Sequence, residues 1–186
     1  GEAPGLVGAL LSGGLVTCAF LGLMRVYQIC LAAGDTAFYR EALIGIGLLS
    51  TAFAAVFLVR QADFKRMLAY SSVEHVGIIA IGLGVGKGAI FYTLFHLVAN
   101  SLAKGVLFLA AGNINRSYNS KRCEAVHGVI RRLPWTGVLF LAGFFAGTAS
   151  PPFAMFTSEF GIIASSLQNG HHGITLLLIG CLAVAY

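Results

Sequence analysis

Charged side chains are scarce in this chain. Asp, Glu, Lys and Arg make up 10% of its 186 residues while 58% are hydrophobic; soluble domains carry about 25% charged residues. So few charges would leave large apolar patches facing water, which excludes an ordinary soluble domain and leaves the bilayer as the solvent. Clustered cysteine is missing too. Cys18, Cys30, Cys123 and Cys181 stand apart, with no C-x-x-C and no histidine cluster beside them. That spacing argues against a zinc or iron–sulfur site, and isolated thiols in apolar runs serve as small hydrophobic filling. No nucleotide loop or metal spacing is recognisable, so no cofactor and no metal is expected. The formal charge of +5 does not point to nucleic acid, which would want a basic face interleaved with aromatics. Internal repeats, low-complexity tracts and domain linkers are absent, which predicts a single membrane domain over residues 1–186. An initiating Met is lacking as well. The chain opens Gly1-Glu2-Ala3-Pro4 and stops at Tyr186 inside an apolar run, so the expectation is an internal fragment in which no signal peptide should be sought.

Long apolar runs are what the sequence does have. Breakers and periodicity mark about six segments, at 5–26, 41–60, 67–86, 88–112, 135–168 and 173–186, the last truncated; about 20 residues suffice to cross the hydrocarbon. Backbone groups in lipid must be satisfied within the segment, so these are read as helices. Transmembrane strands would be about 10 residues long with in/out alternation, and Leu43 to Val59 does not alternate. The fold class is therefore all-α, a polytopic transmembrane helix bundle. The fifth segment is too long for one straight crossing and contains Gly147-Thr-Ala-Ser-Pro151-Pro152. Adjacent prolines remove two donors and clash with the preceding turn, predicting a discontinuous helix broken near 151.

Basic residues set the orientation. One set of connections holds Arg60, Lys65, Arg66, Arg116, Lys121, Arg122, Arg131 and Arg132; the other holds Arg25, Arg40 and Lys87. The richer set is assigned to the cytoplasm, which makes this a multi-pass protein of the cell inner (plasma) membrane. Lys65 and Arg66 read as interfacial anchors, and His127, His171 and His172 as solvated loop residues. The polar stretch from Asn113 to Pro134 is expected to be partly helical on the cytoplasmic surface.

A few ionisable residues stand where lipid should forbid them. Lys104 lies within the apolar run Phe91–Ala111, and a charge at mid-membrane costs about 2.5–3.5 kcal/mol on insertion scales. His96 and Asn100 precede it at i−8 and i−4, so the three stack along one side of a helix as a stripe about 12 Å long; Ser101 widens it. Such a stripe suits protons hopping through side chains and water, or a helix–helix hydrogen-bond seam. Glu159 follows the proline break by about two turns among Phe153, Met155, Phe156, Phe160, Ile162 and Ile163. It is read as a buried acid, with an interfacial Glu as the alternative. Glu74 and His75 form an acid–imidazole pair about two turns into their helix, fit either to pass protons between water and the membrane interior or to make a satisfied polar patch. The candidate proton-transfer residues are thus Lys104, Glu159, His96, Glu74 and His75.

Asp63-Phe-Lys-Arg-Met-Leu-Ala-Tyr-Ser-Ser72, Phe95-His96, Leu102-Ala-Lys104-Gly-Val-Leu-Phe-Leu-Ala-Ala-Gly112, Ser150-Pro-Pro-Phe153 and Ser158-Glu-Phe160 occur in this order. Together they resemble the antiporter-like membrane subunits of NADH:quinone oxidoreductase (complex I), multisubunit sodium/proton antiporters and group 4 membrane-bound hydrogenases. Ser72-Val-Glu-His-Val-Gly77 and Asn100-Ser-Leu-Ala-Lys104 look most like hydrogenase-4 component F and formate hydrogenlyase relatives. The resemblance implies that Lys104 matches the family's central membrane lysine, His96 the histidine two turns before it, and Glu159 the terminal acid of the broken helix. Thr17 departs from the pattern, since some relatives carry a lysine there. The family's paired Glu and Lys lie upstream of these motifs, so this fragment alone is not expected to translocate protons.

The resemblance thus implies a proton-translocating membrane subunit of a respiratory or hydrogenase-type oxidoreductase complex, with redox chemistry in partner subunits. Its expected partners are other membrane subunits, peripheral redox subunits, protons or sodium, and the lipid bilayer, with no nucleic acid. A component of a stand-alone sodium/proton antiporter and a purely structural membrane scaffold are the alternatives.

Overall fold

The computed structural model describes residues 4–34, 36–59 and 61–186. Arg60, used above to set orientation, and Gly1-Glu2-Ala3 lie outside them. All regular structure among the described residues is helical, apart from an isolated bridge between Asp63 and Arg122. Among the described residues, four helices are long and apolar enough to cross a membrane: α1 (Gly5–Ala33), α2 (Ala37–Leu58), α3 (Phe64–Val85) and α4 (Ile90–Tyr118). Three shorter ones follow: α5 (Pro134–Gly147), α6 (Ala154–Gln168) and α7 (His172–Ala185).

The bundle is inside out relative to a soluble protein. Leu49, Phe91 and Leu102 are 74%, 70% and 70% exposed, whereas Lys104, His75 and His96 are at 0%. Along α4, exposed Phe91, Leu94, Val98 and Leu102 alternate with buried His96, Asn100 and Lys104. Both sets recur at helical spacing, so one face meets lipid and the other meets protein.

Small residues let the helices approach. A Cβ on Gly47 of α2 would lie 2.7 Å from the Gly77 carbonyl oxygen of α3, and one on Gly77 would lie 2.7 Å from the Gly47 oxygen. Glycine is required at both, because either side chain would separate two backbones already in contact. Arg40, counted among the connection residues, instead sits in the first turn of α2. Its guanidinium donates to the Gly84 and Val85 carbonyls at the C-terminus of α3, with Nε to Gly84 O at 2.8 Å. It therefore caps orphan carbonyls and opposes the helix dipole. Arg25 likewise lies on a helix rather than in a connection, since α1 continues to Ala33.

Asp63 caps α3 by accepting from the Lys65 and Arg66 backbone N–H groups at 2.8 and 3.2 Å. The loop after α4 is tied to the same end, with Phe64 N donating to Lys121 O at 3.2 Å and Cys123 N to Ala62 O at 2.9 Å. Lys65, Arg66, Arg116, Lys121, Arg122, Arg131 and Arg132 thus gather at one basic end, although Lys65 itself is buried. The connection holds a short 3-10 turn at Cys123–Ala125 and a single helical turn at Val129–Arg132.

The fifth apolar run is a broken helix. α5 and α6 have 14 and 15 residues, about 21 and 23 Å at 1.5 Å per residue. Neither covers the ~30 Å of hydrocarbon, so the break between them falls within the bundle. Ala149 takes the left-handed conformation there, at φ 46°.

Candidate functional site

α3, α4 and α6 bring the predicted residues into one buried cluster. Lys104 lies fourteen residues from either end of α4, about 21 Å along the axis each way, too far for its ammonium to reach water by snorkelling. Its Nζ donates to Ser71 Oγ on α3. Glu74, one turn beyond Ser71, is within electrostatic range of Lys104. Glu74 and His75 occupy the middle of α3, deeper than the two turns expected, and both are buried.

Two imidazoles then lead across to the broken helix. The His75 and His96 rings lie 5.3 Å apart between centroids. His75 Nδ1 is 3.8 Å from Glu159 Oε1. His96 Nδ1 is 2.8 Å from Ser158 Oγ, and the Ser158 hydroxyl is 2.8 Å from the Met155 carbonyl, to which it donates. Glu159 accepts from the hydroxyl of Tyr186, the residue that follows α7, at 2.9 Å. The Glu159 side chain is buried among the helices.

The cluster is incompletely paired. Glu74 Oε1 and Oε2, His75 Nδ1 and Nε2, His96 Nε2 and Asn100 Oδ1 are buried without a hydrogen-bond partner. Buried polar atoms normally find one, so these are left for water or for one another rather than for a fixed protein partner. A cavity of about 140 Å³ runs from Leu58, Val59 and Met67 at the basic end to Ser71, Glu74 and Thr148 at depth, with room for several waters. A second, shallower groove lined by Thr148, Ala149, Ile163, Leu182 and Tyr186 reaches Glu159 between α6 and α7.

Ser101 does not belong to this cluster. Its hydroxyl faces α1, 2.9 Å from Thr17 Oγ1, and donates to Leu97 O at 2.8 Å. Residue i+1 on a helix points about 100° away from residue i, so Ser101 leaves the stripe that Asn100 keeps. The loop histidines stay apart from the site: His127 lies in a connection, and His171 and His172 at the start of α7. The cysteines remain free; Cys18 and Cys123 are exposed rather than filling the core.

Three contributors were not anticipated. Ser71 sits at i−3 from Glu74, on the same face, so helical spacing could have flagged it; Ser158, next to Glu159, points about 100° away from it round the helix, and no spacing marks it. Nothing local marks Tyr186, whose bond to Glu159 spans 27 residues.

Comparison with known proteins agrees with this architecture. Residues 1–185 match the family described as "NADH:quinone oxidoreductase/Mrp antiporter, TM". This chain belongs to that family. Among its members, a hydrogenase-4 component F homolog of Methylacidiphilum infernorum is 34% identical over 185 residues, covering 98% of this chain and 38% of the relative. Hydrogenase-4 component B of Escherichia coli is 33% identical over 170 residues, covering 84% of this chain and 25% of that protein. The chain thus spans well under half the length of either relative. In the structure of the membrane-bound sulfane sulfur reductase, an archaeal respiratory membrane complex, a chain superposes with a TM-score of 0.88 at 27% identity, over 98% of this chain and 38% of the other. Family membership makes this an antiporter-like, membrane-embedded chain of the kind found as subunits in multisubunit complexes.

Proposed function

We propose that the cluster passes protons between the basic-end cavity and the broken helix, as one section of a proton-translocating subunit in a plasma-membrane redox or hydrogenase-type complex. The observation that carries this reading is the row of buried ionisable groups, Lys104, Glu74, His75, His96 and Glu159, with six unpaired polar atoms among its members and Asn100. A packing seam would satisfy those atoms. A relay needs them free to exchange hydrogen-bond partners as protons arrive and leave.

The steps follow from the contacts. Water in the cavity beside Glu74 exchanges protons with Glu74 and Lys104. A change of charge on Lys104 alters the field at the adjacent imidazoles, because a unit charge at 4 Å is worth about 4 kcal/mol even at an effective dielectric of 20. His96 and His75 hand the proton to Glu159. Its carboxylate faces the groove between α6 and α7, the exit from the cluster. Imidazole nitrogens suit protons better than sodium, a hard cation that prefers oxygen ligands; this favours protons as the transported ion. Redox chemistry belongs to partner subunits.

The test is Lys104→Ala in the full-length protein, assembled in its complex and reconstituted into vesicles. Proton flux should fall by about a hundredfold, the scale of losing a positioned acid–base group, with assembly intact. Unchanged flux in an intact complex would leave the buried charges with a packing role and overturn the relay.

A further inference from the structure

We propose that His75, His96 and Glu159 form a binding site for a divalent transition metal of the zinc class, enclosed between α3, α4 and α6. One ligand atom from each residue lies within 4.8 Å of the other two, and all three side chains are buried. The sequence gives no hint of it, because the donors come from three helices and follow no metal-binding spacing.

Hydrogen bonding prepares the donors. The Ser158 hydroxyl spends its proton on the Met155 carbonyl, 2.8 Å away, so its oxygen accepts from His96 Nδ1–H, also at 2.8 Å. That fixes the tautomer with the lone pair on Nε2, the atom left without a partner. An imidazole held through one nitrogen while the other stays free is the arrangement of a metal-ligating histidine. Neither ring nitrogen of His75 makes a well-aligned hydrogen bond, although the ring lies in reach of the Gly147 backbone, and Nδ1 is already 3.8 Å from Glu159 Oε1. Tyr186 steadies that carboxylate by donating to it at 2.9 Å. Tetrahedral zinc with bonds of about 2.0–2.1 Å needs ligand atoms about 3.3 Å apart, so side-chain rotations of roughly 1 Å close the site.

The donor set names the class of ion. Two imidazole nitrogens and one carboxylate oxygen, with a fourth position for water, suit zinc, and imidazole also serves copper, nickel and iron(II); sodium, magnesium and calcium want oxygen. Glu159 and Glu74 offset the ion's charge, while the Lys104 ammonium opposes it. The groove at Thr148, Ile163 and Leu182 opens onto Glu159 and gives the ion a route in. A bound ion would occupy the lone pairs the relay uses and stop proton flux; that consequence, unlike the binding, rests on the proposed function.

Equilibrium dialysis of the full-length protein in nanodiscs against zinc chloride, with bound zinc measured, tests the site. His75→Ala and His96→Ala should each remove one bound zinc or weaken it at least about tenfold, and Ser158→Ala should weaken it about tenfold by releasing the ring. Lys104→Met should tighten it. The combined His127→Ala, His171→Ala and His172→Ala variant should bind as the parent does. X-ray absorption at the zinc edge should show nitrogen and oxygen neighbours, which keeps the test decisive where a variant fails to fold. No zinc bound, binding indifferent to His75 and His96, or a sulfur shell from the cysteines overturns the site. Zinc bound without any effect on proton flux supports the site and counts against the relay. Loss of flux in Lys104→Ala together with no zinc bound overturns the site and leaves the relay standing.

Discussion

α4 carries two polar seams on different faces, and they are built in opposite ways. Towards α1 lies a seam of hydroxyls. Thr17 Oγ1 of α1 is 2.9 Å from Ser101 Oγ of α4 and donates to the Gly13 carbonyl of its own helix at 2.6 Å, while Ser12 Oγ carries the seam on from α1 to Ser72 Oγ of α3 at 2.7 Å. None of these hydroxyls is among the unpaired buried atoms. α1 carries a π turn at Leu10–Leu15, and the Gly13 carbonyl within it accepts from Thr17. Towards α3 and α6 lies the ionisable seam, where Lys104, Glu74, His75, His96 and Glu159 leave both carboxylate oxygens of Glu74 and three ring nitrogens unpaired. Neutral hydroxyls in lipid find partners and hold helices together. Ionisable groups with spare lone pairs at the same depth are expensive, so their retention points to use rather than packing.

Substituting across the two seams tests that difference, and the greatest contrast after Lys104→Ala is expected at Glu74. Its carboxylate faces the cavity and answers the charge of Lys104. Glu74→Gln keeps the shape and removes the charge, so proton flux should fall by roughly a hundredfold while the complex still assembles. Flux at the parent rate in reconstituted vesicles would place Glu74 with the packing residues.

A smaller effect is expected at Ser158, which bears no charge and orients His96. Ser158→Ala leaves His96 Nδ1 without its acceptor and frees the ring to turn or to switch tautomer. Flux should drop about tenfold, the scale on which outer partners tune a histidine. Ser158→Thr keeps the hydroxyl and should restore most of it. A merely structural serine would give equal flux in both variants.

The two seams also differ in how far they could be read from the sequence. Apolar length gave the helices, the adjacent prolines gave the break between α5 and α6, and eight-residue spacing put His96 and Lys104 on one buried face. These are local signals, set by helical period and backbone chemistry. Partners are not local. Ser71 meets Lys104 across 33 residues and Ser158 meets His96 across 62, so which hydroxyl serves which charge depends on how three helices cross. Ser101 shows the converse: adjacent to Asn100 in sequence, it turns to the other seam because helical geometry sends neighbouring side chains to different faces.

The least effect on transport is expected on the α1 side, and it bears most directly on the comparison. Thr17→Val with Ser101→Ala removes the hydroxyl pair without adding charge or much change in volume. Interhelical hydrogen bonds in membranes average about 0.6 kcal/mol, so the double variant should lose roughly 1 kcal/mol of stability in a detergent or denaturant titration. Proton flux should stay within about twofold of the parent, because the conduction proposed here depends on groups that change protonation state and neither hydroxyl does so near neutral pH. If instead the double variant cut flux as deeply as Glu74→Gln, the hydroxyls would belong to the conducting path. The division between a seam that binds helices and one that moves charge would then fail, since the path would have to cross α4 from one face to the other.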